Sequence, residues 1–229
     1  MALIAQLKSA PKTLIGSSAL IVSGNPPLKA ATHEQKVLAF GGGGSVTLVK
    51  QSATLSRVAF SFAHEHGVYK LYIPPGSGES DDCYYLPWAE GKAYAITLGA
   101  EASIFTTAHM SSCALYIGGT PQAPTVIHAN VGNNASITGL NKQADTDNYT
   151  KMYNNLLQAL VTDGTLAGNS TATPIAMHDP GVYMTGSRAG YTAVVGGLTG
   201  GSWAFYYNVN NGKTGFTGQL WPAYDKFPY

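Results

Sequence analysis

Charged residues are scarce in this chain of 229 residues. Asp, Glu, Lys and Arg together make up 11% of it, less than half of the ~25% that is usual in globular proteins. The 13 Lys and Arg residues form no cluster, and the formal net charge is +1. This distribution argues against binding to nucleic acid or to an anionic membrane through a basic surface. We therefore expect no nucleic-acid partner.

Long apolar runs are also missing. No segment reaches the ~18 apolar residues that a membrane span needs, so we expect no span. The first residues do not fit a secretory signal, because the start is not basic. Lys8, Pro11 and Lys12 also interrupt the apolar content before a signal-length core forms. Export of the protein would need a route other than the classical one, or release by lysis.

Cysteine is almost absent, and the two residues present are Cys83 and Cys113. The count alone says little, but a disulfide between the two would block Cys113, which is considered below as a nucleophile. We interpret both as thiols, which suits a reducing cytosol as the place of action.

The chain contains 27 Gly, many Thr and several β-branched runs, which favour a strand-dominated fold in one domain, residues 1–229. Alternation and turn residues predict strands at 13–22, 36–40, 46–49, 55–63, 68–73, 92–98, 193–197 and 203–209. Apolar residues at helical spacing predict one long helix over 148–161, capped by Asp145 or Asp147 and closed by Gly164. Residues 1–8 match a short helix that ends before Pro11.

A thiol and an imidazole are predicted to meet in a hairpin. Residues 114–117 form an apolar run directly after Cys113, and residues 125–127 form a second one directly before His128. Gly and Pro residues at 118–124 are expected to turn the chain between them. The hairpin would bring Cys113 near His128.

Cysteine and histidine together support nucleophilic catalysis. A thiol has a pKa near ~8.5, and a neighbouring imidazole that accepts its proton generates the thiolate. The thiolate attacks a carbonyl carbon, and the imidazolium protonates the leaving group. The pair thus predicts acyl transfer, although it does not fix whether the substrate is a peptide, an ester or a side-chain amide. The alternative is structural: a buried Cys often packs as a small hydrophobe, and a His on a strand often only donates a hydrogen bond.

Other polar motifs are weaker. His64 and His66 on an extended segment would share one face and suit zinc, but a third ligand is not evident, with Asp81, Asp82 and Cys83 as candidates. An exposed hairpin turn is the preferred interpretation. Residues 41–44 are all Gly and lack the Gly-Lys-Ser/Thr signature of a phosphate loop. We predict no metal and no cofactor.

Three motifs in order carry a resemblance to a known family. They are Leu86-Pro87-Trp88, then Thr107 six residues before Cys113 with His128-Ala129-Asn130 beyond it, then Ala-Val-Val-Gly-Gly-Leu-Thr-Gly at 193–200. They resemble the bacterial cysteine glutamine deamidases of the cytotoxic necrotizing factor type, and especially the Burkholderia lethal factor-like members. Two departures are that Ser112 replaces a Gly before the nucleophile, and that the loop containing Pro121 and Pro124 is longer.

The resemblance implies an α+β fold with a sheet-centred, mostly antiparallel, β-sandwich-like core and one or two helices. It implies a bacterial toxin, active in the host cytosol as a monomer, that converts a host protein Gln to Glu. Cys113 would be the nucleophile and His128 the base, with Thr107 orienting His128, and Leu-Pro-Trp would lie in the core beside the site. The target would be the DEAD-box RNA helicase of translation initiation, which would block translation, or alternatively a Rho-family GTPase.

Two other function classes fit the same residues. The same pair would serve a protease or a transglutaminase. A non-enzymatic, lectin-like binding module would also suit the low charge and the abundance of Tyr, Asn and Gly.

Overall fold

The computed structural model describes residues 3–16, 18–24, 33–52, 55–63, 67–73, 80–110, 113–132, 142–167, 175–177, 191–210 and 215–223. Within these residues the helices are α1 (Leu3–Ser9), α2 (Pro11–Ile15) and α3 (Lys142–Thr162). The strands are β1 (Ala19–Ser23), β2 (Glu34–Phe40), β3 (Gly44–Lys50), β4 (Leu55–Ala63), β5 (Val68–Tyr72), β6 (Ser80–Leu86), β7 (Lys92–Thr97), β8 (Ile104–Thr107), β9 (Ala114–Thr120), β10 (Ala123–Ala129), β11 (Ile175–Met177), β12 (Tyr191–Thr199), β13 (Ser202–Asn210) and β14 (Gly215–Trp221).

The strands form two sheets. One has eight strands in the order β1-β5-β4-β6-β8-β12-β13-β14, and the other has six in the order β11-β9-β10-β7-β3-β2. Most neighbouring strands are antiparallel, but β1 with β5, β6 with β8, and β3 with β7 are parallel. The sheet-centred prediction is therefore confirmed, with the refinement that both sheets are mixed.

The two sheets face each other across a shared apolar core. Tyr84, Phe105 and Phe205 of the eight-stranded sheet pack in one cluster with Leu115 and Val126 of the six-stranded sheet. Because side chains alternate along a strand, the neighbouring residues of each strand point to the opposite face of their sheet. We call the shared space the inter-sheet core, and the site described below lies in it.

Helices cover the outer face of each sheet. Ile4, Leu7 and Ile15 of α1 and α2 pack with Leu20 and Val58 on the eight-stranded sheet. On the six-stranded sheet, α3 buries Tyr153, Leu156 and Leu160 against strands β9 and β10. The helices thus cover the faces that point away from the inter-sheet core. None of the helices in the described ranges is long and apolar enough to cross a membrane.

The N-terminal prediction is partly wrong. The short helix at the start is present as α1, but residues 13–15, predicted as part of a strand, belong to α2. Pro11 opens α2 because its fixed φ suits the first helical turn, where its missing N–H costs nothing. Gly16, with φ +55°, then ends the helix, so the strand begins only at Ala19. The described chain thus has three helices where one or two were predicted.

The long helix starts earlier than predicted. It begins at Lys142, so Asp145 and Asp147 lie inside it and neither caps it. Gly164, with φ +75°, follows its end as expected.

The hairpin around Cys113 is confirmed and is tighter than predicted. Strands β9 and β10 pair from Ala114 with Ala129 to Thr120 with Ala123. The predicted turn residues Gly118 and Pro124 lie within the strands, because the turn itself occupies only the two residues between Thr120 and Ala123.

The buried side chain of Asn208 connects β1 to β13 and β14. Asn208 of β13 accepts a hydrogen bond from Leu20 N at 2.8 Å and donates to Ser18 O at 2.9 Å and Thr217 Oγ1 at 2.8 Å. The eight-stranded sheet therefore curls, so that β1 at one edge lies against β13, the strand next to the other edge.

Candidate active site

Cys113 and His128 lie on the same face of the β9–β10 hairpin. His128 pairs with Leu115, and Cys113 lies two residues before Leu115, directly ahead of β9. A spacing of two residues keeps both side chains on one face, so Cys113 is the diagonal neighbour of His128. Cys113 and Leu115 both belong to the inter-sheet core. The predicted approach of these two residues is therefore found.

Thr107 reaches His128 from the other sheet. It ends β8, and it lies two residues after Phe105, whose side chain is in the inter-sheet core. Its Oγ1 atom lies 2.5 Å from Nδ1 of His128 and donates to the Leu86 carbonyl at 2.8 Å. Both hydrogen bonds are fully buried.

These two contacts determine the tautomer of His128. A carbonyl oxygen only accepts, so the hydroxyl proton of Thr107 is used on Leu86. The hydroxyl oxygen must then accept a hydrogen bond from Nδ1–H of His128. The neutral ring therefore carries its proton on Nδ1 and a bare lone pair on Nε2, which is the form a general base requires.

Burial keeps the imidazole of His128 neutral. The residue is 1% exposed, and this burial, with a smaller repulsion from His109, lowers its pKa to about 3. Its Nε2 atom is buried and has no hydrogen-bond partner among the residues that the structure describes. A buried acceptor without a partner among these residues is costly in a folded protein, so this nitrogen is a position for a hydrogen-bond donor.

The sulfur of Cys113 is contacted by a carboxamide. Asn130 Nδ2 donates to Cys113 Sγ at 3.3 Å, while Asn130 Oδ1 accepts from Gly132 N at 2.8 Å. Cys113 is 5% exposed. In this conformation the thiol does not hydrogen-bond to Nε2 of His128, so proton transfer needs the two groups to come closer or realign. Catalytic hydrogen bonds of this kind often form only once substrate is bound.

Two groups of this site were not assigned from the sequence. Asn130 stands in the quoted motif, and its position opposite Cys113 across the hairpin was the available signal. The carbonyl of Leu86, which also accepts from Ala108 N at 3.0 Å, is a backbone group and leaves no trace in residue type. The prediction that Leu-Pro-Trp lies in the core is wrong for Trp88 alone, because Leu86 and Pro87 are buried but Trp88 is 42% exposed.

The remaining predicted candidates do not join this site. No group of three His, Cys, Asp or Glu residues able to hold a metal occurs in the described ranges. His64, His66 and Ser112 lie outside those ranges. Asp81 forms an ion pair with Lys8, and Cys83 is buried on the opposite face of the eight-stranded sheet. The glycine run forms the turn of the β2–β3 hairpin. Asn155 Nδ2 donates a hydrogen bond to the Gly41 carbonyl there.

The fold and the site together define a two-sheet protein with a buried cysteine and histidine in its inter-sheet core. No family model and no curated protein sequence matches the chain. Among solved structures, it is similar to the C-terminal domain of CNFy from Yersinia pseudotuberculosis. The identity is 10% and the TM-score 0.41, over 95% of this chain and 97% of that one. Similarity at this level does not establish a shared function.

Proposed function

We propose that the chain is an acyl-transfer enzyme with Cys113 as nucleophile and His128 as general base, and that its reaction is the deamidation of a protein glutamine. The observation that carries the proposal is the position of Nε2 of His128. Among the described residues it is a buried acceptor without a partner, on the same face as the Cys113 thiol, in a ring whose other nitrogen is held by Thr107. A nucleophile, a base and an orienting group are the parts that such catalysis needs.

The chemistry follows from these groups. Cys113 gives its proton to Nε2 of His128, and the sulfur bonds to the carboxamide carbon while the C=O electron pair moves to oxygen. His128 then returns the proton to the amide nitrogen, the C–N bond breaks, and ammonia leaves. Water attacks the thioester, with His128 taking its proton, and the product is a carboxylic acid and the regenerated thiol.

Burial keeps His128 neutral, so its Nε2 atom can accept a proton. The lowered pKa makes it a weak base, but once protonated it releases the proton readily to a leaving nitrogen. Thr107 can follow the change of charge, because its oxygen continues to accept from Nδ1–H when the ring becomes imidazolium. Thr107 is thus an orienting group that stabilises both forms of the base.

The motifs quoted above support glutamine as the substrate and a bacterial toxin as the class of enzyme. In this proposal the target is a host protein in the cytosol, either the DEAD-box RNA helicase of translation initiation or a Rho-family GTPase, and the enzyme acts as a monomer. Modification of the helicase would stop translation. No cofactor takes part in the cycle.

The test is mass spectrometry of a eukaryotic lysate incubated with the protein in heavy-oxygen water. Enzymatic deamidation places one heavy oxygen in the new Glu carboxylate. We expect one target Gln to be converted by the unaltered protein and by Cys83→Ala, but not by Cys113→Ala or His128→Asn. Equal product from all four proteins would contradict the proposal.

A second arm separates deamidation from its rivals. If a primary amine is added and becomes attached to the target Gln in place of water, the enzyme is a transglutaminase; if a peptide bond is cut instead, it is a protease. A binding module would give no modified peptide, and its effect on cells would survive Cys113→Ala.

A further inference from the structure

We propose that the side-chain amide of Asn130 is a catalytic hydrogen-bond donor, which stabilises the Cys113 thiolate and then the oxyanion of the tetrahedral adduct. This inference rests on the proposed acyl transfer for its second step, but its first step concerns the thiol alone.

The orientation of the amide is fixed by its neighbours. The two ends of an Asn side chain are distinguished only by their hydrogen-bond partners. Gly132 N is a donor, so the atom 2.8 Å from it must be the carbonyl oxygen Oδ1. The NH₂ group is then turned toward Cys113 Sγ, at 3.3 Å. A contact of Oδ1 with the sulfur would leave two donors, Nδ2 and Gly132 N, facing each other.

The turn that follows β10 holds Asn130 in this position. Its bond to Gly132 N, two residues on, closes an Asx turn. Gly132 has φ +59°, and a Cβ there would lie 2.9 Å from Cγ of Glu90 and 3.1 Å from Gly91 N. Glycine is therefore required by both conformation and space, and the turn is held firmly against the loop at Glu90.

The site needs such a donor because His128 alone provides little stabilisation of a thiolate. A thiolate is stabilised strongly by a neighbouring imidazolium, but burial keeps His128 neutral. A neutral N–H donor at the sulfur supplies part of the missing stabilisation without adding a charge to the core.

The same donor is well placed for the next step. When the sulfur bonds to the carboxamide carbon, the new oxyanion is attached to that carbon and lies beside the sulfur. An amide already in contact with the sulfur can move its second N–H to the oxygen by a small rotation. Donors of this kind are preorganised, and loss of one typically lowers kcat by about 10²–10³-fold.

Asn130→Asp is the matched variant that tests the role. Aspartate has the same shape and still accepts from Gly132 N, so the Asx turn is kept. It replaces the NH₂ donor with a carboxylate oxygen beside the sulfur. Its added negative charge would itself raise the pKa of the neighbouring thiol, so Asn130→Ala, which removes the donor without adding a charge, is needed beside it.

The measurement is the rate at which iodoacetamide alkylates Cys113 as a function of pH, followed by peptide mass spectrometry. This readout requires no protein substrate. We expect the alkylation profile of Asn130→Asp to move to higher pH by at least about one unit, a tenfold loss of thiolate at neutral pH. Asn130→Ala is expected to move in the same direction by less, and its shift decides the role because no charge has been added.

The outcomes separate this inference from the proposed function. A profile of either folded variant that coincides with that of the unaltered protein overturns the role of Asn130. A shifted profile of Asn130→Ala supports its first step even if no glutamine target is found. If a target is found, an unchanged kcat in Asn130→Asp overturns the second step.

Discussion

Oγ1 of Thr107 and Nδ1 of His128 lie 2.5 Å apart although the two residues belong to different sheets. The hydrogen bond therefore links the sheets and also orders the site. Since Thr107 gives its own proton to Leu86, the chain of donors runs from His128 through Thr107 to the backbone of β6.

Replacement of Thr107 by Val tests this chain. The change conserves shape but removes the hydroxyl, leaving Nδ1–H of His128 and one bond of the Leu86 carbonyl unsatisfied in the core. We expect deamidation kcat to fall by roughly 10²-fold and the free energy of unfolding by about 1–3 kcal/mol. Thr107→Ser keeps the hydroxyl and serves as the control. Steady-state kinetics and urea unfolding give the two quantities, and an active Thr107→Val enzyme would show that His128 needs no orienting group.

The buried His128 predicts a dependence of stability on pH. Its pKa is lowered from 6.5 to about 3 in the folded protein by burial. Between those pH values the unfolded chain binds a proton at this residue and the folded chain does not. Stability is therefore complete above pH 6.5 and falls as the pH drops toward 3.

His128→Asn isolates this contribution, because Asn does not titrate and its amide still reaches Thr107. The urea midpoint of the unaltered protein should fall more steeply between pH 6.5 and pH 4 than that of the variant. Carboxylates such as Asp81, whose pKa is lowered, affect both proteins alike. Parallel curves would mean that His128 is accessible to protons in the folded state.

The two thiols should differ in reactivity. Cys83 is fully buried, and burial, together with the nearby Asp82 and Asp81, raises its pKa to about 12. We expect iodoacetamide at pH 8 to leave Cys83 unmodified in the folded protein while Cys113 reacts, and both to react in urea. We also expect Cys83→Ala to retain activity. Labelling of Cys83 at the rate of Cys113 would contradict the burial that the structure describes.

Trp88 is expected to contact the target protein. It follows Leu86, which anchors Thr107, and its loop continues to Glu90, against which Gly132 is packed. An exposed large aromatic residue beside a site is typical of a protein contact. Trp88→Ala should raise KM for the protein target about tenfold, equivalent to ~1.4 kcal/mol, with kcat little changed.

The control for Trp88→Ala is Val37→Ala. Val37 is also exposed, at 73%, but it lies on β2, at the edge of the six-stranded sheet. It should leave KM unchanged. A small glutamine peptide should not distinguish Trp88→Ala from the unaltered enzyme. An equal loss with the peptide would place Trp88 in the catalytic machinery instead.

Local patterns were sufficient to predict much of the fold. The apolar runs on either side of the 118–124 loop predicted the β9–β10 hairpin, and with it the approach of Cys113 to His128. Residues 55–63 were predicted as the strand that the structure shows as β4. Errors arose where one residue outweighed a pattern. Pro11 began a helix in a segment whose β-branched residues favoured a strand.

The parts that could not be predicted depend on contacts distant in sequence. Leu86 and Thr107 are joined through a backbone carbonyl, to which residue type gives no clue. Which sheet each strand joins is likewise a tertiary matter, so the meeting of β8 with β10 across the core was not evident. The catalytic roles assigned to Cys113, His128 and Thr107 stay predictions until the variants are measured.

The contacts of Asn208 affect the rate at which the chain folds. This side chain binds Ser18 and Leu20, nearly 190 positions earlier in the chain. Contacts of such sequence separation form slowly, because a long loop must close before they stabilise anything. Strand β1 therefore emerges from the ribosome long before β13, which completes its surroundings. We expect a folding rate set by this late closure, and a need for chaperone protection while synthesis continues.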